Sequence, residues 1–143
     1  MHRLFLDANV LFSAAYGTSS LSQLWELACE GKVVLLTSAY ARGEALLNLT
    51  EEAQRSRLDE LSREVALVPE APTTEPCPIA LPDKDCPVLL AALQARATHF
   101  LTGDRKHFGT YFSQSVRGML ICTPRLYFAQ RANASMPECR EGN

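Results

Sequence analysis

No apolar run in this chain approaches the ~20 residues that a membrane-spanning helix needs, so a helical membrane protein is excluded. Zinc-ribbon and dithiol redox patterns are missing too. Cys29, Cys77, Cys86, Cys122 and Cys139 never fall as C-x-x-C and have no histidines at zinc-ligand spacing. They read as reduced cytosolic thiols. The opening Met1-His2-Arg3-Leu4-Phe5-Leu6-Asp7 is apolar only from 4 to 6, which is too short for a signal-peptide core, so a cytoplasmic location is expected. Internal repeats and low-complexity tracts are absent. A large excess of one charge is absent as well, since the formal net charge is -2. Its distribution is uneven, however. Between Cys86 and Arg131 the cations Arg96, Arg105, Lys106, Arg117, Arg125 and Arg131 face a single acid, Asp104, whereas acids dominate between Glu44 and Asp85. A basic half of this kind suits a polyanionic partner, although scattered arginines also make ordinary solvated surface.

What is present is an alternation of short apolar runs with helical patterns. Arg3 to Asp7 reads as a strand, and so does Val33-Val34-Leu35-Leu36, which should pair with it in parallel. After the Tyr16-Gly17-Thr18 break, Leu21, Leu24, Trp25 and Ala28 share one helical face, with Ser20 and Gln23 as a capping box and Gly31 as the stop. Residues 38 to about 49 and 51 to 65 read as helices, with Gly43 a local cost in the first. A short strand over 66–68 leads into a proline-marked connection at Pro69, Pro72, Pro76, Pro78 and Pro82. A helix over 88–97, strands at 99–101 and 119–122, and a helix from about Pro124 to Arg131 complete the pattern. The expected fold is α/β: a three-layer α/β/α sandwich around a mostly parallel sheet of about five strands. One domain over 1–131 and a flexible tail over 132–143 are expected.

In such sheets the functional crevice lies beyond the carboxyl ends of the strands. Asp7 follows the first strand directly, and Asp104 follows the strand at 99–101 through Thr102-Gly103. Two carboxylates at one sheet edge repel unless a cation lies between them, and a hard divalent metal is the simplest candidate. Asp85 opens the helix before the Asp104 strand, where it or Asp83 also serves as a helix cap beside Pro87. Taken alone, Glu44 is an ordinary helical glutamate, and His107 in Arg105-Lys106-His107 reads as a surface histidine.

Leu6-Asp7-Ala8-Asn9-Val10-Leu11, Glu44 with Leu46-Leu47, Asp85 with Val88-Leu89 and Ala91-Ala92, and Thr102-Gly103-Asp104 together resemble the PIN-domain family. Its members include ribonucleases and the toxin halves of toxin-antitoxin pairs. The resemblance runs from residue 4 to about 122. It implies a cluster of Asp7, Glu44, Asp85 and Asp104 that binds Mg²⁺ or Mn²⁺ through Asp7, Asp85 and Asp104 and hydrolyses single-stranded RNA. It further implies supporting roles for Asn9 and Thr102, a homodimer, and an antitoxin as partner. Arg105 and Lys106 adjoin the expected metal site and are the candidates for phosphate contacts. Two other functions compete with this reading. A catalytically idle fold of the same kind would bind RNA or protein without cutting. An aspartyl-phosphate phosphatase would attack from Asp7 but needs a second aspartate two residues on, where this chain has Asn9.

Overall fold

Strand β1 (His2–Leu6) lies inside the sheet and divides the core between its two faces. Successive strand side chains point to opposite faces, so Leu4 and Leu6 join one apolar cluster while Phe5 joins the other. In the computed structural model, which describes residues 1–72 and 74–135, the other strands are β2 (Val33–Ser38), β3 (Val65–Val68), β4 (His99–Leu101), β5 (Gln114–Val116) and β6 (Met119–Cys122). The strand order is β3-β2-β1-β4-β6-β5, with every pair parallel except β5 and β6. From β1 the chain builds outward through β2 and β3, then crosses back to place β4 on the other side of β1. The order therefore reverses between β1 and β4, and a crevice opens beyond their carboxyl ends.

Helices cover both faces. On one side α1 (Ala8–Tyr16), α2 (Ser22–Cys29), α4 (Glu52–Ser62) and α7 (Pro124–Ser135) bury Leu11, Leu24, Leu58 and Tyr127. On the other, α5 (Cys86–Gln94) buries Val88, Leu89, Ala91 and Ala92 against Phe5, Phe100 and Ile121. Helix α3 (Ala39–Asn48) gives Ala41 to one cluster and Ala45 to the other, and the short α6 (Arg105–Phe108) seats Phe108 beside Phe100. The result is the expected three-layer sandwich, with six strands.

Several local expectations need correction. Helix α1 has no counterpart in the sequence reading, which places its first helix only after the Tyr16-Gly17-Thr18 break. It ends at Gly17, whose φ of 120° favours glycine. The Ser20 capping box does not form; Ser19–Leu21 is a 3-10 turn and α2 starts at Ser22 without a side-chain cap. Edge strand β5 also went unseen. Most consequentially, Cys77 and Cys86 are joined in a disulfide, so these two are not free thiols. The bond fastens the proline-rich connection to the first residue of α5. Cys29 and Cys122 are free, and Cys139 lies outside the described residues, as does the 136–143 part of the expected tail.

Candidate active site

β1 delivers Asp7 to the crevice, and the same residue caps α1, its Oδ1 accepting from Ala8 N at 2.8 Å. Its Oδ2 accepts from Thr102 Oγ1 at 2.8 Å and from Asn9 Nδ2 at 3.2 Å. Asn9 also donates to Thr102 Oγ1 at 3.1 Å, and its Oδ1 accepts from Gly103 N at 2.7 Å. Thr102 Oγ1 in turn accepts from Asp104 N at 3.2 Å. This lattice joins the ends of β1 and β4 and holds Asp7 in one rotamer. A side chain at Gly103 would come within 3.4 Å of Asn9 Oδ1, so the chain passes close to Asn9 there. Asp7 is only 8 % exposed, and its burial, with Asp85 and Glu44 adding negative potential, raises its pKa to about 6 against the lowering effect of the Thr102 and Ala8 hydrogen bonds.

Asp104 caps the single turn of α6. Its Oδ1 accepts from His107 N at 3.1 Å, and its Oδ2 from His107 Nδ1 at 2.7 Å. Burial acts to raise this carboxyl, but the His107 bonds outweigh it and hold it below the usual range. Asp85 behaves differently. It occupies the N-cap position of α5, yet its side chain makes no capping bond, so capping does not account for it. Its buried Oδ2 has no hydrogen-bond partner among the described residues and stands 3.5 Å from His107 Nδ1. Burial pushes its pKa up, against the pull of His107 and Lys84. Glu44, on α3, lines the same cleft.

All four acids, Asp7, Glu44, Asp85 and Asp104, line one cleft of about 410 Å³, together with Asn9, Phe12, Asn48 and Lys84. A larger cavity of about 850 Å³ opens at the opposite sheet edge, near His2, His99 and Tyr127. It holds none of these acids, and convergent chemistry outweighs volume in choosing between the two. The family model described as PIN domain matches residues 3–106. This chain belongs to the PIN-domain family. No curated protein and no solved structure matches it.

A PIN domain is of nuclease type, and such domains typically use divalent metals. The donor set here fits one: the orphaned Asp85 Oδ2, the raised pKa of buried Asp7, and carboxylates converging from β1, α3 and the starts of α5 and α6 all leave negative charge that protein groups do not fully compensate. Of the expected phosphate contacts, Arg105 and Lys106 are exposed on α6 and lie outside the cleft lining; Lys84 is the cation that lines it. Sequence reasoning missed Lys84, although it adjoins Asp85, and Asn48, although its position four residues after Glu44 puts both on one helical face. It also set aside His107, whose signal was its position three residues after Asp104, in the helical turn that Asp104 caps.

Proposed function

We propose that this PIN domain is a metal-dependent endoribonuclease that hydrolyses phosphodiester bonds of single-stranded RNA. The observation that carries the reading is the convergence of Asp7, Glu44, Asp85 and Asp104 on one cleft at the strand-order reversal, with a lysine on its rim. Asp7, Asp85 and Asp104 would hold Mg²⁺ or Mn²⁺. When bound, the ion supplies a nucleophilic hydroxide at neutral pH and stabilises charge on the phosphate. Glu44 lines the same cleft with no side-chain hydrogen-bond partner among the described residues, suited to orient the attacking water or take its proton. Asn9 and Thr102 keep Asp7 aimed. Lys84 meets a phosphate oxygen, and Arg105 and Lys106 extend the cationic edge along which the strand runs.

The phosphatase alternative loses ground here. Asn9 stands where that chemistry needs an acid, and its amide is spent on Asp7, Thr102 and Gly103. A homodimer, an antitoxin partner and a role as the toxin of such a pair belong to the proposed reading and rest on the family resemblance. Light scattering tests the dimer. The RNA substrate sets the proposed location as cytoplasmic.

The deciding experiment is cleavage of labelled single-stranded RNA with Mg²⁺ or Mn²⁺, comparing wild type with folded Asp7→Asn and Asp104→Asn. Metal-dependent cleavage lost in both variants is expected. Identical behaviour of all three proteins would remove the site from consideration, and RNA binding without cleavage would favour the idle fold.

A further inference from the structure

His107 lies one residue past the stretch matched by the family model, so family membership assigns it nothing. Its ring nevertheless stands between two of the acids. His107 Nδ1 is 2.7 Å from Asp104 Oδ2 and 3.5 Å from Asp85 Oδ2, and one donor atom from each of the three residues falls within 4.8 Å of the others. In an octahedral site with ~2.1 Å bonds, adjacent donor atoms are about 3.0 Å apart. The two distances bracket that spacing, so the three donors already stand near the arrangement of neighbouring ligands on one ion. The farther of the two carboxylate oxygens, the buried Asp85 Oδ2, has no hydrogen-bond partner among the described residues.

We propose that His107 is a nitrogen ligand in this site, making its donor set mixed (imidazole with carboxylates) and biasing it towards Mn²⁺ over Mg²⁺. This rests on the metal-dependent reading given above. Without an ion, Nδ1 donates to Asp104 Oδ2; a bound ion would take the place of that proton, leaving the ring's hydrogen on Nε2 and the Nδ1 lone pair towards the space shared with Asp85 and Asp104. Imidazole suits borderline transition ions, whereas Mg²⁺ favours oxygen donors and near-ideal octahedral geometry, so one nitrogen shifts selectivity towards manganese. The backbone supports the placement. Asp104 caps α6 through His107 N, and Phe108, the next residue, is buried against Phe100, which fixes the turn that presents the ring.

The test loads the purified protein with Mn²⁺ alone and records electron spin-echo envelope modulation, which detects a directly bonded ¹⁴N. Wild type, His107→Gln and His107→Ala are compared, and Mn²⁺ and Mg²⁺ affinities are measured by calorimetry. The His107 side chain is a quarter exposed and outside both core clusters, so the variants should fold. Nitrogen modulation in wild type that vanishes in both variants, with Mn²⁺ affinity falling about tenfold or more and Mg²⁺ affinity changing less, is the expected result. Mn²⁺ bound at the cleft without nitrogen modulation would overturn the ligand assignment and leave the acid cluster standing. Failure of wild type to bind either ion would overturn the assignment and the metal-dependent reading together.

Discussion

Asp7 carries the sharpest consequence at the scale of single residues. Burial raises its pKa from 3.8 to about 6, so folding favours the protonated carboxyl. The stabilisation is complete below about pH 4, where the group is protonated in both states, and is lost as pH rises through about 6. That change in pKa corresponds to roughly 3 kcal/mol. Asp85 shifts in the same direction and Asp104 in the other, so the measurement must isolate Asp7. Urea unfolding in chelator at pH 5 and 7.5 should show wild type losing stability relative to Asp7→Asn as the pH rises; equal pH dependence would mean that Asp7 titrates as an exposed acid. Asn9→Ala is the complementary change. It leaves solvent-exposed Gly103 N without its acceptor and removes one of the donors to Asp7, and should cost ~0.5–1.5 kcal/mol in chemical denaturation. RNA cleavage should also fall, because the aim of Asp7 is lost.

At the scale of elements, the two segments that frame Glu44 and Asp85 differ in what holds them. Helix α3 contains Gly43, and a methyl group added there would meet nothing within 4 Å. Gly43→Ala should therefore raise stability by ~0.5–1 kcal/mol through helix propensity alone, read as a higher denaturant midpoint with cleavage retained. The connection before α5 depends on a covalent bond. Cys77 and Cys86 close a loop with a sequence separation of 9, and in the loop-entropy model its opening costs about 2–3 kcal/mol. Cys86 follows Asp85 directly, so Cys77→Ser or dithiothreitol should lower the melting temperature and raise the metal concentration needed for half-maximal cleavage. A drop in melting temperature with unchanged metal demand would show that the proline-rich connection plays no part in holding Asp85.

Considered as a whole molecule, the protein should be stabilised by the ion that its acids repel one another without. Mn²⁺ at a hundred times its dissociation constant adds ~2.7 kcal/mol. Thermal unfolding with and without chelator should register that gain in wild type and lose it in Asp7→Asn. Much of this architecture was legible in the sequence. Buried parallel strands such as Leu4-Phe5-Leu6 and Val33-Val34-Leu35-Leu36 are compact apolar runs, and the polar residue ending each marks the functional edge. Asp7 and Asp104 could be placed there from strand position alone. Glu44 and Asp85 could not, because a helical glutamate and an aspartate before Pro87 each have an ordinary use; only resemblance to a family singled them out. The 77–86 pairing was hidden for another reason: with five cysteines, spacing does not determine partners. Edge strand β5, being only Gln114–Val116, carries too little periodicity to declare itself.

The hydrogen-bonded lattice of Asp7, Asn9, Thr102 and Gly103 joins residues nearly a hundred positions apart. Synthesis proceeds from the amino terminus, so Asp7 leaves the ribosome long before Thr102 has been added. Until β4 docks beside β1, the carboxylate that should anchor the ion has neither its orientation nor its neighbours. On the proposed nuclease reading, a growing chain therefore cannot cut RNA until the β4 segment has been made and docked beside β1.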